Sequence, residues 1–170
     1  MAISPRYFFV INILIFQAGW FAAVLGGDLF ATLFILPALV FHFVFTPSKK
    51  EDFIAVILCI SLGMVHDSLL LSQNLLKIDQ HLYFPPIWLI LIWSLLGISL
   101  LHSLRWVYEK PLFSSLFGTI AAPISYLAGV KLSESQWTGS MTKIILVIAI
   151  IWLFLLPLHR LIFLRLKGYV

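Results

Sequence analysis

One carboxylate in this chain sits where a carboxylate is costly. Asp67, in the stretch Gly63-Met64-Val65-His66-Asp67-Ser68, follows an apolar run that begins at Phe53. That places it about 14 residues, or roughly 21 Å of helix, into the run. In hydrocarbon an acid at such a depth costs on the order of 3 kcal/mol even on lenient insertion scales. No basic residue offsets it locally, since the nearest Lys, Lys77, is ten residues on. Such a group is expected to face the interior of a bundle or a cavity, where it takes hydrogen bonds or serves as acid or base.

Depth along the helices, at about 1.5 Å per residue, selects its candidate partners. Asp67 comes out about 9 Å below one edge of a hydrocarbon layer roughly 30 Å thick. Trp20, Trp93 and Tyr126 come out at similar depth. Each carries a single N–H or O–H donor that wants an acceptor when buried, and a carboxylate supplies one. The sequence therefore predicts a cluster of Asp67 with Trp20, Trp93 and Tyr126, ligand-binding or structural. An ordinary belt of interfacial aromatics is the competing explanation, strongest for Tyr83 and Trp88. His66 points about 100° away from Asp67 around the helix and is not expected as an automatic partner.

A second polar layer lies near the opposite edge: Asn12, His42, His102, Ser103 and His159. Three histidines from three helices at one depth could hold a metal ion. Against that, no two share a helix at i, i+3 or i+4, and no Cys or carboxylate is expected beside them. Neither a metal nor a cofactor is predicted. His102 lies about 15 Å from Asp67 in depth, too far for a proton relay. The chain contains no HExxH pair, no GxSxG elbow, no phosphate-binding Gly loop and no pair of acids within a span. A recognised catalytic constellation is therefore missing, and the reading leans away from an enzyme.

The elements that must position these residues follow from composition. Of 170 residues, 62% are hydrophobic and 11% charged, less than half the charge of a typical soluble domain. The apolar residues come in blocks long enough to cross a bilayer. Six spans are predicted in one all-α bundle, at residues 7–25, 28–46, 53–71, 86–106, 112–130 and 142–164. Arg6 and the run after it resemble a signal peptide, but the run is too long for one and is expected to stay as a helix. Lys and Arg at span ends divide eight to three, which predicts a multi-pass inner-membrane protein with both termini cytoplasmic. The net charge of +4 comes from those span ends and does not point to nucleic acid. Cys59, the single cysteine, reads as a packing residue.

Local signals refine this picture. Gly26-Gly27-Asp28 predicts a tight hairpin between spans 1 and 2. Pro37 predicts a kink and Pro123 a bend. Ser48 or Asp52 is a candidate cap for span 3. Residues 72–85 are expected to lie on the interface without a span of their own. In span 5, Ser114, Gly118, Ala122, Ser125 and Gly129 recur at spacings of 4, 4, 3 and 4. That stripe of small residues suits close helix packing.

As a set, several of these motifs resemble those of a bacterial family of small six-span inner-membrane proteins, a domain of unknown function. They are Asn12 and Trp20, Gly63-x-x-x-Asp67-Ser68, Pro86-x-Trp88 with Ile92-Trp93, His102-Ser103, and Gly118-x-x-x-Ala122-Pro123-x-x-Tyr126-x-x-Gly129. The resemblance runs from residue 7 to 165 and implies a polytopic membrane protein with no assigned activity. Ala122 stands where that family more usually has Gly. A more distant likeness is to the rod-shape protein MreD and to the substrate-binding components of energy-coupling-factor transporters. It operates at the level of fold, which does not fix function.

Three functions remain open at this stage. The first is a binding or transport component for a small apolar molecule or lipid, with Asp67 facing the cavity. The second is a scaffold that docks a partner membrane protein through the small face of span 5. The third is a lipid-modifying enzyme using Asp67 or His102.

Overall fold

The computed structural model describes residues 4–79 and 81–168. The chain is all-α apart from two short strands. Its elements are α1 (Pro5–Phe45), α2 (Lys49–Ser72), β1 (Leu76–Lys77), α3 (Ile87–Leu100), α4 (Arg105–Tyr108), α5 (Pro111–Leu132), β2 (Gln136–Trp137) and α6 (Met141–Lys167). Four of the helices, α1, α2, α5 and α6, are long and apolar enough to cross a membrane, while α3 is apolar but shorter. Their outer faces stay apolar: Leu29, Leu33, Val40 and Val44 of α1 are each at least 60% exposed. Water would not tolerate such a continuous stripe on a monomer, and hydrocarbon does.

Helix α1 contains 41 residues and breaks at Gly27, where φ is 59° and ψ −153°. That backbone region is open almost only to glycine. Beyond the break the second arm folds back along the first. Gly19 approaches Ile35, and the Phe8 ring packs 5.3 Å from that of His42. The two arms of this broken helix cover nearly all residues of the first two expected spans. No atom lies within 4 Å of where a Gly27 side chain would begin, so substitution there meets backbone strain alone. Gly27→Ala should destabilise the protein by about 1–3 kcal/mol. Gly129→Ala, in equally open space but on a helical backbone, should be neutral or slightly stabilising. Reversible unfolding in mixed micelles of the two variants separates strain from crowding.

Helix α3 is the centre of the molecule. Residues 93–100 are all buried, as expected of a helix that is hydrophobic on every side. It packs against α1 on one flank and α2 on the other, and α6 and α5 extend the bundle beyond α2. A Cβ on Gly97 would stand 2.6 Å from the Val56 Cα, so α2 and α3 cross with their backbones in contact. One core joins Ala23, Ala31, Ile35, Val56, Leu95 and Ile98. The larger core joins α2, α3, α5 and α6 around Cys59, Trp93, Ile148 and Trp152.

Several boundaries differ from the sequence reading. The fourth run was expected to be helical over 86–106, but α3 ends at Leu100 and the chain turns before the single turn of α4. A three-residue connection, 46–48, brings α2 in at Lys49, so Asp52 belongs to a helix and not to a loop. Ser48 occupies the N-cap position without capping the backbone through its hydroxyl. The connection after α2 contains β1, which pairs antiparallel with β2, Leu76 opposite Trp137 and Lys77 opposite Gln136. A two-residue ladder joining distant segments leaves too short an alternation to detect in sequence. The backbone stays helical through Pro37 and Pro123.

Candidate functional site

One polar knot is built on α2 around Asp67, which is completely buried. It begins one turn earlier. A Cβ on Gly63 would come within 2.1 Å of the Trp93 ring, so only glycine lets the indole of α3 lie across α2 there. One turn further along, Trp93 Nε1 donates to Asp67 Oδ2 at 2.7 Å. The Gly-x-x-x-Asp spacing therefore seats the ring with its first residue and accepts its N–H with its last.

From α5 the Tyr126 hydroxyl donates to Asp67 Oδ1 and lies 3.1 Å from His66 Nδ1. His66 Nδ1 is itself 2.8 Å from Asp67 Oδ1. This corrects the expectation for His66: neighbouring side chains leave the helix about 100° apart, but an imidazole is long enough to reach back. The carboxyl, with about four acceptor sites, thus has donors from α3, α5 and its own neighbour. Trp20 does not join them. Its indole instead donates to Ser125 Oγ at 3.1 Å, linking the first arm of α1 to α5.

Beside the knot lies a cleft of about 840 Å³ between the first arm of α1 and α5, floored by α3. Phe16, Gln17, Trp20, Leu96, Ile120 and Ser125 line it, together with Trp93, Tyr126 and Trp152. The wall is overwhelmingly apolar. Asp67 does not line the cleft: Trp93 and Tyr126, which hold it, form the wall in front. Trp152 stacks on Trp93 at 5.2 Å. Two buried nitrogens here, Trp152 Nε1 and His66 Nε2, have no hydrogen-bond partner among the described residues.

A second knot sits at the other end of the bundle, around Asp52. Its Oδ2 lies 3.0 Å from His42 Nε2 and 2.9 Å from His102 Nε2. Thr46 Oγ1 donates to the same oxygen, and Ser48 Oγ donates to Oδ1 at 3.1 Å. A carboxylate thus accompanies two of the three histidines, contrary to expectation. The connection between α1 and α2 explains why. His42 is one turn before the end of α1 and Asp52 one turn after the start of α2, so a tight reversal sets them at one depth.

The remaining residues of that layer go elsewhere. His159 Nε2 lies 3.1 Å from the Ala55 carbonyl, which can only accept, so Nε2 carries the proton. His159 Nδ1 then accepts from the Tyr108 hydroxyl at 2.8 Å. Burial pushes the Tyr108 phenol above its ordinary value, so that hydroxyl keeps its proton and donates. Asn12 donates to the Ile98 carbonyl at 3.2 Å and accepts from Ser103.

The small stripe of α5 divides. Ser114, Gly118 and Ala122 are buried, and a Cβ on Gly118 would stand 2.9 Å from the Trp152 carbonyl oxygen. That half packs α5 onto α6. Ser125 and Gly129 line the cleft, where buried Ala122 also contributes to the wall. Asp28, at the α1 break, accepts from the Trp88 backbone N–H at 2.8 Å and so caps α3, a contact that nothing local in sequence announces.

No curated protein and no solved structure matches this chain. One protein-family model does, over residues 9–158, a stretch that takes in both polar knots and every wall of the cleft. The chain belongs to the family of proteins of unknown function DUF2878.

Proposed function

We propose that this protein is a membrane-embedded binding component that takes an amphipathic, lipid-like molecule into the cleft between α1 and α5. The cleft itself carries the reading. Its volume of about 840 Å³ is within the range of about 300–1,000 Å³ typical of small-molecule sites. Its mouth is flanked by apolar residues more than half exposed on α5, Leu116, Ile120 and Ile124, which suits entry from hydrocarbon. An occupant with an apolar body and one polar end would meet the apolar wall and the few polar side chains on it, among them Gln17 and Ser125. Asp67 acts in this reading by holding Trp93 and Tyr126 in place as wall, not by touching the ligand.

The same reading places the chain in a bacterial inner membrane. The two arms of α1 supply spans 1 and 2, and α2, α3, α5 and α6 supply the other four. The cationic ends, including Arg6, Lys49, Lys50, Arg165 and Lys167, face the cytoplasm with both termini. A docking role through the small stripe of α5 is less favoured, because Gly118 is already spent on α6.

Native mass spectrometry of the full chain released from mild detergent tests the proposal. A bound lipid or other small amphiphile should be retained. Gly129→Trp, which fills open space on the cleft wall, should reduce its occupancy at least tenfold without lowering the thermal midpoint. An empty wild-type protein, or equal retention by a folded Gly129→Trp variant, would overturn the reading.

A further inference from the structure

We propose that His42, Asp52 and His102 form a binding site for one divalent first-row transition-metal ion. Their three ligand atoms, two Nε2 nitrogens and a carboxylate oxygen, lie within 4.8 Å of one another. They come from the end of α1, the first turn of α2 and the turn after α3, so the fold itself brings them together.

Hydrogen bonding alone explains this convergence poorly. Three groups, His42, His102 and Thr46, crowd one oxygen of Asp52, and a carboxylate oxygen offers about two lone-pair sites. As a ligand set the arrangement is not overloaded, because each imidazole and the carboxylate contributes one lone pair. Metal–ligand bonds of about 2.0–2.1 Å in a tetrahedral site set neighbouring ligand atoms roughly 3.3 Å apart. The two Nε2···Oδ2 separations, 3.0 and 2.9 Å, reach that spacing with a small outward movement.

Two imidazoles and one carboxylate suit Zn²⁺ and its first-row neighbours, and leave a further position for water or the Thr46 hydroxyl. Phe8 packs against both imidazoles, at 5.3 and 5.0 Å, fixing the rings and keeping one side dry. Asp52 is fully buried, while the His102 side chain is 12% exposed, which makes His102 the side of entry. The first turn of α2 favours an anionic Asp52, which supplies negative charge for an incoming cation.

The experiment uses the full chain, purified through a tag without histidine and stripped with a chelator. Titration with Co²⁺ should show one ion per chain with visible d–d bands, displaced by an equivalent of Zn²⁺. Zn²⁺ should also raise the thermal midpoint. His42→Gln and His102→Gln should each weaken Zn²⁺ binding more than tenfold while keeping wild-type helicity. Should either fail to fold, Asp52→Asn preserves the local shape and should still lose the ion. Absence of a d–d spectrum in the wild-type protein would sink the proposal, leaving a purely hydrogen-bonded tie. Undiminished Zn²⁺ binding in any folded variant would sink it too.

Discussion

Asp67→Leu should destabilise the folded protein by about 3 kcal/mol or more. The substitution removes one acceptor, leaving Trp93 Nε1 buried without a partner and the Tyr126 hydroxyl and His66 Nδ1 with only each other. Each orphaned donor costs about 1–3 kcal/mol in a protein interior. The sum is not fully realised in a bilayer, because the unfolded state also finds polar partners there. Asp67→Asn keeps one carbonyl oxygen, so it should lose about half as much. Equilibrium unfolding in mixed micelles measures both. A cycle with Trp93→Phe should show strong non-additivity, since the indole N–H and the carboxylate serve one another. A leucine variant as stable as wild type would show that the knot contributes nothing to folding.

Gly63→Leu is expected to be as damaging, for a steric reason. The Trp93 ring occupies the place of the new side chain, 2.1 Å from where its Cβ would stand. That ring cannot retreat easily: Trp93 is 3% exposed and stacked on Trp152. Overpacking typically costs about 1–3 kcal/mol, and here displacement of Trp93 also breaks its bond to Asp67, so a loss of about 3 kcal/mol or more is expected. Trimming the obstacle tests the cause. In the Gly63→Leu background, Trp93→Ala should recover part of the stability, although alone it destabilises. No recovery would mean that the ring is not what excludes a side chain at Gly63.

The sequence carried the secondary architecture well and the polar pairings unevenly. Apolar runs, glycine breaks and depth arithmetic were enough to single out Asp67, Trp93 and Tyr126, because helices hold depth in proportion to residue number. Trp20 has the right depth, yet it meets Ser125, since depth says nothing about direction around a helix axis. Asp52 was missed for a different reason. Mixed charges beside Pro47 look like a solvated loop, whereas the reversal there is only three residues long. The same arithmetic applied across that reversal, one turn back to His42 and one turn forward to Asp52, would have paired them. The end of α3 at Leu100 was hidden because the apolar composition continues past it into residues that turn.

The central place of α3 bears on how the chain is made. Synthesis proceeds from the N-terminus, so α1 and α2 exist before α3 does. Both acids and Asn12 belong to those earlier segments, and α3 with the turn behind it delivers Trp93 to Asp67, His102 to Asp52, and Ser103 and the Ile98 carbonyl to Asn12. Until it emerges from the ribosome, three polar side chains wait in nascent segments without those partners. Arrival of α3 and its following turn thus completes the Asp52 knot, while Asp67 gains Trp93 and still waits for Tyr126 of α5.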